Sequence, residues 1–131
     1  MSDEQPPPTS RGFRDLHAWQ RGRTVCSSVY RLTQAFPDDE RFGLTSQIRR
    51  SAISTPSNIA EGYGRQTPAD YLRHLRIARG SLFELQTQLI VASDLGYVAD
   101  VPETQDLKDE LESLSQLLSG LIRSVQQRRD G

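Results

Sequence analysis

The chain of 131 residues has little of what binding and catalytic sites are usually made from. Its single cysteine, Cys26, excludes an internal disulfide framework, and two histidines, His17 and His74, are too few for a Cys/His zinc site. Neither histidine has a partner at metal-ligand spacing. No Gly-x-Ser-x-Gly elbow or Walker-type loop occurs, and Gly62-Tyr63-Gly64-Arg65 is too short to cradle a phosphate. No stretch approaches the ~18 apolar residues of a membrane span. Met1–Gly12 lacks the apolar segment of a secretory leader. Together these absences predict a reduced, cytoplasmic protein with no metal, cofactor or membrane partner.

An excess of one charge is also missing, since the formal net charge is −1. The chain as a whole therefore does not advertise a polyanion binder. The charges are nevertheless uneven along it. Twelve arginines stand against six acids between Arg11 and Arg79, and seven acids against Lys108 alone between Asp94 and Glu112. Such a chain makes a dipolar subunit that can dock head to tail or offer one face to an anion, or it makes two solvated helix faces.

What is present is helical. A chain of this mass buries about two-thirds of its unfolded surface, enough for one unstapled core. Residues 1–12, with Pro6-Pro7-Pro8 among polar neighbours, read as a disordered tail. Over 13–128 the apolar strides of three and four predict four helices at about 15–36, 44–61, 68–95 and 101–127. Asp15 is the expected N-cap of the first, and Cys26 lies on its inward stripe as a small apolar residue. Pro56 should kink the second, and Gly62 and Gly64 should stop it. Thr67-Pro68-Ala69-Asp70 is a strong start for the third, which Gly96 ends. An Asp100-x-x-Glu103 capping box opens the fourth. Short joins favour an all-α, antiparallel, up-down-up-down four-helix bundle.

The third helix carries apolar residues beyond its core stripe. Leu72, Phe83 and Ile90 fall on one line, roughly 120° from the core centre for 3.6 residues per turn. They are the expected oligomer interface, the alternative being a broad interior face. Arg73, Arg76 and Arg79 lie opposite the core stripe, and Arg49-Arg50 adds a pair on the second helix. The planar arginine fork suits phosphate, so these five are candidate nucleic-acid contacts, with intersubunit ion pairs as the competing use. No aromatic interleaves them to signal base stacking. Asn58 and Glu61 share a helix face within the Pro56–Gly62 segment. No second acid, lysine or histidine is spaced to complete an acid–base pair, so the segment reads as a structural motif. A small enzyme or ligand-binding bundle using Asn58 and Glu61 in an inter-helix cleft is the alternative.

The wording between these helices is itself distinctive. Phe13-Arg14-Asp15-Leu16, Trp19, Ala35-Phe36-Pro37, the run Phe42–Ala52, the run Pro56–Gly62, Gly80–Leu85, Thr87-Gln88-Leu89 and Leu95-Gly96-Tyr97 follow in order. From about Phe13 to Val98 the chain resembles the four-helix-bundle family of 23S rRNA intervening-sequence proteins. The accessory variability protein of diversity-generating retroelements belongs to the same broad group. The resemblance implies a cytoplasmic bundle assembling as a homopentameric barrel, with no established catalytic activity. It also implies that RNA or DNA and a reverse transcriptase are possible partners, because retroelement members bind both through basic surfaces. The combined expectation is a non-catalytic homo-oligomeric scaffold that offers arginines to nucleic acid.

Overall fold

Four helices form on the expected apolar strides, and the departures lie mainly at their ends. The computed structural model describes residues 12–131, so the proline-rich tail expected over 1–12 lies outside the described residues except for Gly12. A 3-10 turn over Gly12–Asp15 leads into α1 (His17–Thr33). A second such turn at Asp38–Glu40 precedes α2 (Leu44–Tyr63), α3 (Pro68–Asp94) and α4 (Pro102–Asp130). No strand occurs among the described residues.

Asp15 does not cap α1. Leu16 occupies the cap position, fully buried, with its N–H donating to the Phe13 carbonyl at 3.0 Å. Burying a leucine stabilises by about 1.5–3 kcal/mol, against ~1 kcal/mol for a typical polar cap, so the register that buries Leu16 prevails. The helix stops at Thr33, whose hydroxyl donates to the Val29 carbonyl at 2.9 Å. Phe36, expected within the helix, is buried just beyond it with its ring 5.5 Å from that of Tyr97.

Glu40 starts α2 from outside. One carboxylate oxygen accepts the Leu44 N–H at 3.1 Å, and the other accepts the Tyr97 hydroxyl at 3.0 Å. That hydrogen bond, more than burial, pushes the Tyr97 hydroxyl's pKa up. The helix passes through Pro56 unbroken, and the buried Pro56 ring sits against Gly22 of α1, where a Cβ would lie 3.2 Å from it. Gly62 is not the expected stop. It lies inside α2 against α3, where a Cβ would stand 2.8 Å from His74 Cβ and 3.0 Å from Tyr71 Cδ1.

The signals on α3 act as written: Thr67 Oγ1 accepts the Asp70 N–H at 3.1 Å. At the other end Gly96, with φ +79°, lets Tyr97 N–H reach the Ala92 carbonyl at 2.9 Å. No capping box opens α4. Pro102, already set at a helical φ, takes the first position after Val101 and leaves Asp100 outside. Leu107, Leu111, Leu114, Leu118, Leu121 and Val125 are all buried.

Each helix packs on its sequence neighbours, and α1 also packs on α4. Arg49 near the start of α2 reaches Tyr30 and Thr33 at the end of α1. Ser54 of α2 meets Ser81 of α3, and Arg128 at the end of α4 lies over Tyr71 at the start of α3. Ser28 of α1 donates to Glu110 of α4 at 3.1 Å. The bundle is therefore antiparallel, up-down-up-down.

One expected interface residue is a core residue. Leu72 is 0% exposed, while Phe83 and Ile90 on the same line are 52% and 63% exposed. That line turns toward α4. Arg128 in the last turn of α4 lies over Tyr71, next to the buried Leu72, and farther along the line is open.

Candidate nucleic-acid interface

Antiparallel packing turns the uneven charge of the chain into a separation along the bundle. The Ser54–Ser81 hydroxyl pair, 2.8 Å apart, marks the middle. One half holds the start of α1, the end of α2, the start of α3 and the end of α4. Among the described residues it carries ten arginines and four carboxylates. The other half carries eleven carboxylates against four arginines and Lys108. Fields from like charges clustered at one end add, so the molecule presents a positive end and a negative end despite its near-zero total.

Within the positive half, Arg73 and Arg76 are exposed and Arg79 is half-buried on α3. Arg73 is partly engaged, with Nε 3.7 Å from Asp70 Oδ1 and Nη2 3.3 Å from His74 Nε2. Arg76 and Arg79 make no hydrogen bond or ion pair with a described residue, and neither does Arg123 on α4. These forks are available to a phosphate. Arg49 and Arg50 do not join them, because antiparallel packing sends the start of α2 to the opposite end from the start of α3. Arg49 is half-buried and clamps α2 to α1. Its guanidinium donates to Thr33 Oγ1 at 2.8 Å and to the Tyr30 carbonyl at 3.3 Å, and it lies 4.7 Å from the Tyr30 ring centroid. Arg50 is exposed in the acidic half, beside a cleft that Glu84 also lines.

Beyond Pro56, which packs on α1, the segment to Gly62 meets α3 through Asn58 and Gly62 and builds a polar seam. Asn58 Nδ2 donates to the Ser54 carbonyl at 3.0 Å, and its Oδ1 is 3.2 Å from His74 Nδ1. His74 is 5% exposed, and Arg65 Nε donates to its Nε2 at 3.2 Å. An imidazole nitrogen that accepts from arginine carries no proton, so the proton is on Nδ1, pointed at Asn58. Arg73 Nη2, 3.3 Å from the same Nε2, agrees with that tautomer, whereas Glu61 Oε1, 3.8 Å from it, does not favour it. Glu61 is exposed and ion-paired with Arg65 at 2.7 Å. The seam locks α2 to α3 and brings Glu61 Oε1 to 3.8 Å from His74 Nε2, with both side chains also held by Arg65.

His74, a histidine with no partner at metal-ligand spacing in the sequence, is the buried centre of this seam. Its signal is positional: with Tyr71, Leu75 and Ala78 it completes an i, i+3, i+4, i+7 stripe, so it had to be buried. Among the described residues no three His, Cys, Asp or Glu side chains converge to hold a metal. Burial pushes the Cys26 thiol up from its ordinary pKa, away from the reactive thiolate. No described helix is long and apolar enough to cross a membrane.

Residues 14–120 match the family described as 23S rRNA-intervening sequence protein. In the solved structures the fold recurs in a protein with unknown function from the S23 ribosomal protein family of Bacteroides thetaiotaomicron VPI-5482. That protein is 20% identical, with a TM-score of 0.72 over 81% of this chain and 95% of the other. No curated protein matches the chain.

Proposed function

Because the chain belongs to the family of 23S rRNA-intervening sequence proteins, we propose that it is a non-catalytic scaffold that self-associates and holds nucleic acid by its phosphates. The supporting observation is the sorting of charge along the bundle, which leaves Arg76, Arg79 and Arg123 unpaired among the described residues at one end. Arginine donates to two phosphate oxygens at once, and phosphate contacts dominate the affinity of proteins for nucleic acid. Absence of catalysis is supported by the seam, where Asn58 is held by Ser54 and His74 and Glu61 by Arg65.

The test is a gel shift with a structured RNA at two salt concentrations. Wild-type protein shifts the RNA at low salt and releases it as salt rises. The triple variant Arg73→Ala, Arg76→Ala, Arg79→Ala binds more weakly, and its salt slope falls by about 2–3, near one per phosphate contact. Absence of a shift at low salt overturns the reading.

Self-association is supported by Phe83 and Ile90, both exposed on the same side of α3. A ring of five is the assembly that the resemblance to the family implies. If the copies stand parallel, it repeats the positive end around one rim. Phe83→Asp is expected to yield smaller species by size-exclusion chromatography with light scattering. A wild-type monomer, or a variant of unchanged mass, removes this part of the proposal.

A further inference from the structure

Between α1 and α4 the bundle holds a cleft of about 430 Å³, within the roughly 300–1,000 Å³ of small-molecule sites. His17, Gln20, Arg21 and Thr24 of α1 form one wall, and Ser113 and Leu117 of α4 form the other. Two of these side chains already donate to α1 and the turn before it. Gln20 Nε2 donates to the Arg14 carbonyl at 2.8 Å, and the Thr24 hydroxyl donates to the Gln20 carbonyl at 3.2 Å. His17, Arg21 and Ser113 make no hydrogen bond or ion pair with a described residue. No carboxylate lines the cleft among the described residues. Asp109, Glu110 and Glu112, just before Ser113 on α4, accept instead from Gln105, Ser28 and Gln116.

Three free donors therefore meet at one cleft, and one of them is a cation. Arg21 is half-buried. A guanidinium partly withdrawn from water, with no counter-charge beside it, attracts an anion more strongly than a fully solvated one. His17 and Arg21 stand one turn apart and share a face of α1, with Ser113 across the cleft. A carboxylate has two oxygens, which the arginine fork alone can satisfy. A phosphodiester likewise has two free oxygens. A phosphate monoester has three, enough for the fork, the imidazole and the hydroxyl together. Leu117 adds an apolar contact for the carbon skeleton of the ester. We infer that the α1–α4 cleft binds a phosphate monoester, held by Arg21, His17 and Ser113. A small phosphorylated molecule and the phosphorylated end of a nucleic-acid strand carry this same group. The cleft lies on α1 and α4, apart from Arg73, Arg76 and Arg79 on α3, and does not rest on RNA binding there.

Isothermal titration of the full chain with 5′-phosphorylated triuridine, its 5′-hydroxyl counterpart, inorganic phosphate and acetate tests the assignment. The phosphorylated trinucleotide is expected to bind about tenfold or more tightly than the 5′-hydroxyl form. Inorganic phosphate binding as tightly as the phosphorylated trinucleotide identifies the small anion as sufficient. Weaker binding of inorganic phosphate identifies the strand end, and both results support the site. Arg21→Ala should weaken binding about tenfold or more and Ser113→Ala about fivefold, with thermal unfolding of both variants unchanged. The triple variant Arg73→Ala, Arg76→Ala, Arg79→Ala should bind the phosphorylated trinucleotide as wild type does. No binding of either phosphate at millimolar concentration, equal binding of the two trinucleotides, or acetate binding as tightly as phosphate would overturn the site. So would affinity unchanged in folded Arg21→Ala and Ser113→Ala, or affinity lost in the triple variant.

Discussion

Leu72→Ala is expected to lower the stability of the bundle by about 2–5 kcal/mol, the range for a leucine removed from a packed interior. Leu72 is fully buried, at the level where the end of α4 closes over the start of α3. Because the contact is within one chain, urea unfolding should show the same loss at every protein concentration. Phe83→Ala should behave differently. Phe83 is 52% exposed, and on the isolated subunit such a change stays within about 0.5 kcal/mol. Its cost should appear only at concentrations where copies associate. Equal, concentration-independent losses at the two positions would show that Phe83 belongs to the core of one chain.

The second large effect concerns two helical glycines with opposite signs. A methyl group at Gly62 would stand 2.8 Å from His74 Cβ and 3.2 Å from the Tyr71 carbonyl oxygen. Neither is the free end of a flexible side chain, so α2 and α3 must separate. Gly62→Ala should cost about 1–3 kcal/mol from overpacking, although alanine is the better helix former by ~1 kcal/mol. Gly80 lies in the middle of α3, and a Cβ there meets nothing within 4 Å. Gly80→Ala should therefore stabilise by about 0.5–1 kcal/mol. Chemical denaturation of the two variants side by side checks both signs.

Leu72 and Gly62 owe their roles to tertiary neighbours, whereas other elements follow from local sequence alone. The stripes Tyr71–Ala92 and Leu107–Val125 were legible because an apolar stride of three and four admits one inward face. The Thr67-Pro68 start was legible because cap and proline act locally. Leu72 was not, since a helical wheel gives its angle but not which neighbour stands on that side at that height. Gly62 read as a stop because the approach of His74 is a tertiary fact. Asp15 and Asp100 lost their capping positions to Leu16 burial and to Pro102.

The candidate site divides in the same way. The imbalance of arginines and acids was visible as a count along the chain. Its placement was not, because antiparallel neighbours put residues 49–50 and 73–79 in opposite halves. Arg49 therefore lies away from the α3 arginines, with its guanidinium occupied by Thr33 and Tyr30. The Asn58–His74 contact joins residues sixteen apart through one packed seam. No spacing rule within a single helix encodes such a pair.

The central claim is that one end of this bundle grips phosphate, and arginine footprinting tests it directly. The full chain would be modified with phenylglyoxal at low salt, with and without an RNA hairpin lacking unpaired guanine, and each arginine followed by mass spectrometry. The account predicts protection of Arg76, Arg79 and Arg123, with Arg31 and Arg50 in the acidic half reacting as in the free protein. Equal protection in both halves, or none at the arginine-rich end, would contradict it.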